Sequence, residues 1–140
     1  MTDIVSSEVL FGDLYESLDD VQSGAMWQFV GQKIKSKVKR LMNKGVDVNG
    51  TTYKRYTGAY TRWRVKNGLK RKVNLQLTSK MWKSIQARHT VDYFEVYITG
   101  AKENLKAEWN IKERDFFSWG TETYKELDRA IDIYLRKVGF

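Results

Sequence analysis

The chain has no cysteine and no proline, and its 140 residues include a single histidine, His89. Without cysteine there is no disulfide and no thiolate metal site, and one imidazole does not supply the clusters that zinc or non-haem iron require. Apolar stretches are only a few residues long, and the first twenty positions carry acids but no Lys or Arg. The expectation is a chain with neither signal peptide nor membrane span, kept in the cytosol that makes it or packed into a particle. The glycines are scattered and form neither a Walker loop nor a dinucleotide fingerprint, so a phosphate cradle is missing.

The groups that remain do not assemble into a catalyst. His89 lies between Arg88 and Thr90, outside any nucleophile-elbow context. The carboxylate pairs (Asp19 with Asp20, Glu113 with Asp115, Asp128 with Asp132) sit in helical or charged stretches beside bases, where solvation accounts for them. Asp47-x-Asn49 looks like the start of a calcium loop, but Lys54 and Arg55 stand where further acids and a closing Glu are needed. No catalytic, cofactor or metal residue is therefore assigned, and the expectation is a protein that binds rather than turns over a substrate.

What the chain does have is segregated charge. Residues 1–32 hold six acids and no Lys or Arg, whereas residues 33–72 hold fourteen bases and one acid, Asp47; the rest is nearly balanced. This pattern suits head-to-tail contact between copies, nucleic-acid binding, or pairing within the monomer. With 41% hydrophobic and 14% aromatic residues, one domain with a real core is expected over 20–140, preceded by an acidic arm or short helix over 1–19.

Hydrophobic periodicity sets the expected elements. Leu10 or Phe11, Leu14 and Leu18 fall at helical spacing, interrupted by Gly12. From Asp20 to Lys44, Trp27, Val30, Ile34, Val38 and Leu41 form one stripe, with Lys33, Lys35, Lys39 and Arg40 off it, and Asn43-Lys44-Gly45 supplies the stop. Gly45 to Gly50 reads as a turn, with a short hairpin at Asn49-Gly50. Tyr56 to Lys66 carries Tyr56, Tyr60 and Trp63 at roughly helical spacing among bases. Val73 to Leu77 alternates as a strand, and Thr78 or Ser79 caps a helical turn with Met81, Trp82 and Ile85. Thr90 to Thr99 reads as a strand apolar on both faces, hence central or covered. Lys102 to Trp109 reads as a short helix, Ile111 to Phe117 as extended chain, and Tyr124, Leu127, Ile131, Leu135 and Val138 as a helical stripe with a Thr123-x-x-Glu126 capping box.

The order of these features over roughly Gln28 to Val138 resembles the phage virion-morphogenesis or tail-completion family, the Mu-like proteins of the neck between portal and tail. The resemblance rests on the long amphipathic helix, the Gly45-Val46-Asp47-Val48-Asn49-Gly50 turn and the Tyr-containing basic helix from Tyr53 to Lys66. It continues through Leu77-Thr78-Ser79-Lys80-Met81-Trp82-Lys83-Ser84-Ile85, preceded by Asn74-Leu75-Gln76, the strand from Val91 to Thr99, the segment Ile111 to Phe117, and the terminal helix. This chain lacks the family's two prolines in Ile111 to Phe117, and the His and Gly upstream of that segment have no counterpart in Ala107-Glu108-Trp109-Asn110. The resemblance implies an α+β domain, a non-enzymatic virion role, and a homo-oligomeric ring, commonly sixfold, around the DNA channel. Its partners would be the connector or adaptor and the tail tube or tail terminator, with contact to DNA in the channel and none with membrane. It would act in the virion, after assembly in the host bacterial cytoplasm.

The expected fold is thus a small antiparallel or mixed sheet, built from 73–77 and 90–99, covered by a long N-terminal helix (20–44) and a C-terminal helix (123–138). Charged contacts are expected at Lys35, Lys39, Arg62 and Arg64, with Phe11, Leu14 and Leu18 docking onto a neighbouring copy. The alternative is a nucleic-acid-binding protein in which Tyr53, Tyr56 and Trp63 stack on bases while Lys54 and Arg55 neutralise phosphates. Against it, the helical spacing of Tyr56, Tyr60 and Trp63 favours rings packed inward, with the bases facing solvent or an acidic partner.

Overall fold

A computed structural model describes residues 3–5, 19–69 and 80–139. The elements run β1 (Asp3–Val5), α1 (Asp20–Lys44), α2 (Gly58–Lys66), α3 (Lys80–Lys83), β2 (Ile85–His89), β3 (Phe94–Ile98), α4 (Ala101–Glu113) and α5 (Thr121–Val138). The domain is α+β. Its antiparallel sheet has the order β1-β3-β2, which makes β3 the central strand. The expected strand 73–77 and the helical spacing of Leu10 to Leu18 lie outside the described residues.

The expected stripe builds α1. Trp27, Val30, Ile34 and Val38 are fully buried and Leu41 nearly so, against β2, β3 and α5. The helix opens with a reciprocal capping box, in which Gln22 N–H donates to Asp19 Oδ1 at 2.7 Å and Asp19 N–H to Gln22 Oε1 at 3.1 Å. It closes on Gly45, whose φ of 73° lies in the left-handed region that a side chain disfavours. On the sheet, Ile85 pairs with Ile98, Ala87 with Val96 and His89 with Phe94, so Phe94, Val96, Ile98 and Ile85 share the face that α1 covers. The Trp27 and Phe94 rings meet at 5.8 Å.

Four local expectations are corrected. Ile85 to His89 is a strand rather than the end of a helical turn, because pairing along the whole length of β3 satisfies its backbone. The 90–99 strand is shorter, Phe94 to Ile98. Ile111 to Glu113 is helical, the last turn of α4, so only the chain beyond Arg114 leaves the helix, delivering Phe116 and Phe117 to the core. The α5 stripe is rotated: Tyr124 and Val138 are largely exposed, whereas Thr123, Glu126, Leu127, Ala130, Ile131 and Tyr134 are buried.

The start of α5 explains that rotation. Thr123 is the third helical residue, not the cap, and its hydroxyl accepts from Gly120 N–H at 2.7 Å. Gly120 has no side chain to cap the helix, so the Gly45–Gly50 turn does it from across the fold. Asn49 Oδ1 accepts from Thr121 N–H at 3.0 Å, and the Val48 carbonyl accepts from Glu122 N–H at 2.8 Å. The turn is itself held by Asp47, whose Oδ1 accepts from Asn49 N–H and Thr51 N–H, both at 2.9 Å, and by the bridge between Val46 and Thr52.

Candidate functional site

Beyond the turn, the chain enters α2 through Thr57, whose Oγ1 accepts from Tyr60 N–H at 3.3 Å. This nine-residue helix has little amphipathic character, and it inverts the expected arrangement. Trp63 is 48% exposed, while the Arg64 side chain is 1% exposed. The physical reason is stacking. The Arg64 guanidinium lies 4.9 Å from the Tyr56 ring centroid and 5.7 Å from that of Tyr60, so two electron-rich faces compensate a desolvated cation.

The stack continues on both sides. Tyr56 meets Tyr60 edge to face at 4.9 Å, and Tyr60 stacks on Trp63 at 5.8 Å with planes 13° apart. Arg114, delivered from the end of α4, approaches Tyr56 at 5.0 Å. Its Nε donates to the Lys54 carbonyl at 2.8 Å and its Nη2 to the Arg55 carbonyl at 3.4 Å. A ladder of two arginines and three aromatic rings is thereby closed within the chain. Arg114 had no signal in the sequence, since some sixty positions separate it from Lys54.

Beside this ladder runs a groove of about 850 Å³, floored by Tyr53, Tyr56 and Val65 and edged by Lys44, Arg55, Arg62 and Lys66. All four cations are exposed, and among the described residues none has an ion-pair partner. Tyr53 is 4% exposed, and its Oη has no hydrogen-bond partner among the described residues. Burial pushes that phenol well above its ordinary pKa, with Asp47 and Asp115 acting in the same direction. Tyr53 is therefore a neutral wall of the groove.

The structure brings Tyr53, Lys54, Arg55, Tyr56, Arg62, Trp63 and Arg64 together and leaves Lys35 and Lys39 elsewhere. Lys35 Nζ donates to Gln86 Oε1 at 3.4 Å on the edge strand. Lys39 lies 4.3 Å over the Trp82 ring, where burial, and then the charge of Lys35, lower its pKa. Phe11, Leu14 and Leu18 lie outside the described residues. His89 is exposed at the end of β2, and no group of three His, Cys, Asp or Glu side chains among the described residues is placed to hold a metal ion. No helix among those residues is long and apolar enough to cross a membrane. Comparison with protein-family models, with curated proteins and with solved structures returns no match.

Proposed function

We propose that this chain is a non-enzymatic structural protein of a phage virion, completing the tail or joining head to tail as a ring around the DNA channel. The observation that carries the self-assembling role is the groove: four exposed cations with no ion-pair partner among the described residues, set around an apolar floor, in a protein whose opening residues are acidic. Such a surface fits a partner that is both apolar and negatively charged. The setting in the virion neck rests on the resemblance. Several of its features form real elements here: the long first helix, the turn that caps the terminal helix, and the short basic helix α2. Its partners would be further copies, the connector or adaptor, and the tail tube or terminator.

The exposed Trp63 and the basic rim favour nucleic acid as the second reading. The closed ladder weighs against it. Tyr56 is engaged by Arg64, Arg114 and Tyr60, and Tyr53 is buried, so the rings that would stack on bases are already occupied. The test is antibody labelling of purified virions from the phage encoding this chain, viewed by electron microscopy. Label at the head–tail junction is the expected result; virions free of the protein would overturn the virion reading.

A further inference from the structure

Residues 6–18 carry Glu8, Asp13 and Glu16, no Lys or Arg, and the apolar residues Leu10, Phe11, Leu14 and Leu18. That composition matches the groove, which offers an apolar floor within a rim of Lys44, Arg55, Arg62 and Lys66. We infer that the groove receives residues 6–18 of a second copy of this chain, an inference that rests on the self-association proposed above and names its contact.

Chain reach bears on whether the segment is a neighbour's or the chain's own, and it does so at Leu14 and Leu18. Leu18 precedes Asp19, the cap at the start of α1, while Lys44 and Gly45 at the groove stand at the other end of that helix. Twenty-five helical residues at about 1.5 Å each separate the two by roughly 37 Å. Leu14, five residues from Asp19, reaches at most about 17 Å from that anchor even when fully extended. The other anchor, Val5, pairs with Glu95, next to the Phe94 that packs on Gly31 in the middle of α1. The chain therefore cannot seat Leu14 and Leu18 in its own groove. A contact between opposite ends of two copies is head-to-tail and heterologous, so each copy both gives a segment and receives one, and the series closes when its rotation does.

The nucleic-acid alternative uses the same rim, and one experiment addresses both. Two full-length variants are made, Arg62→Glu with Lys66→Glu in the groove, and Asp13→Lys with Glu16→Lys in the segment, with circular dichroism confirming that each folds. Sedimentation should show each variant self-associating on the order of a hundredfold more weakly than the native chain, because like charges now face each other. Mixing the two should restore association, since every groove then meets a segment of opposite charge. As a second readout, the cysteine-free chain allows Phe11→Cys and Val65→Cys to be placed on separate copies, and mixing these should give a crosslink between two chains.

Self-association unchanged by the groove reversal would overturn the inference, as would mixtures that stay dissociated or a native chain that is monomeric at every concentration. Unchanged self-association together with lost oligonucleotide binding would hand the groove to nucleic acid. Because virion labelling does not depend on how copies touch, a failure here is distinguishable from a failure of the virion reading.

Discussion

Two parts of one basic run, the middle of α1 and the surroundings of α2, have opposite fates. On α1, Lys37 Nζ pairs with Glu122 Oε2 at 3.2 Å, and Arg40 Nη2 with Glu126 Oε1 at 3.5 Å, both partners lying on α5. Lys35 and Lys39 fold back onto Gln86 and Trp82. Around α2, Arg64 goes inward between tyrosines, whereas Lys44, Arg55, Arg62 and Lys66 keep no ion pair with a described residue. The run is thus partly an internal fastening of two helices and partly a charge that no described residue pairs. Sequence charge alone does not separate the two roles; the position of α5 does.

The inward arginine carries the largest expected effect. Replacing Arg64 with Ala removes a buried side chain and its stacking on two rings, and the expected loss is about 2–4 kcal/mol of stability in urea unfolding. Arg64→Met, which keeps the apolar stem, should recover part of that loss. An Arg64→Ala variant as stable as the native chain would show that the ladder is a surface arrangement with no part in holding α2.

Next in size is the joint between the two regions. A Cβ on Gly120 would lie 2.6 Å from Val48 Cγ2 and 2.7 Å from both Asn49 Oδ1 and the Val48 carbonyl, one of them a backbone atom that cannot swing away. Gly120→Ala should destabilise the fold by about 1–3 kcal/mol, seen as a lower melting temperature. It should also loosen the capping of α5 by Asn49, read as faster amide exchange at Thr121 and Glu122.

Charge reversals on the two regions have smaller effects. Lys37→Glu sets like charges between α1 and α5 and should lower stability by roughly 0.5–1 kcal/mol. Arg62→Glu, on the groove rim, should leave thermal stability within about 0.5 kcal/mol of native while weakening self-association. Equal losses of stability from the two would mean that the rim cations are fastened internally after all.

How much of this was legible depends on how far each determinant lies along the chain. The α1 stripe was readable because its period holds over about four turns, from Trp27 to Leu41, and its stop at Gly45 is local. Central β3 was readable from its β-branched and aromatic residues, which leave both faces apolar. Strand β2 was not, since Ile85 continues the helical spacing of Met81 and Trp82, and only its partner β3 makes it extended. The start of α5 was misplaced because its cap, Asn49, is seventy-two positions away. At the site, the bases and rings of Tyr53 to Lys66 were visible, but their orientation was not. Apolarity ranks rings inside and arginine outside, and here guanidinium stacking reverses that order. The groove needed three separate pieces of chain: the end of α1, the strand-like link through Tyr53, and α2.

The smallest effect separates the two regions most cleanly, because it reads a paired charge against an open one. The Lys37 ammonium, first by its hydrogen bond and then by its charge, holds the Glu122 carboxyl below the usual carboxylate range, with Lys125 adding to the effect. A carboxyl whose pKa is depressed by folding stabilises the fold fully above its unfolded value, near pH 4.3, and loses that contribution as the pH falls through its folded value. Melting temperatures of the native chain and Lys37→Gln should therefore differ most above about pH 5 and converge as acid protonates Glu122. Arg62→Gln should track the native chain at every pH. If it instead shows the same convergence, the rim has a carboxylate partner within its own chain, and the charge match to a neighbour's acidic segment loses its ground.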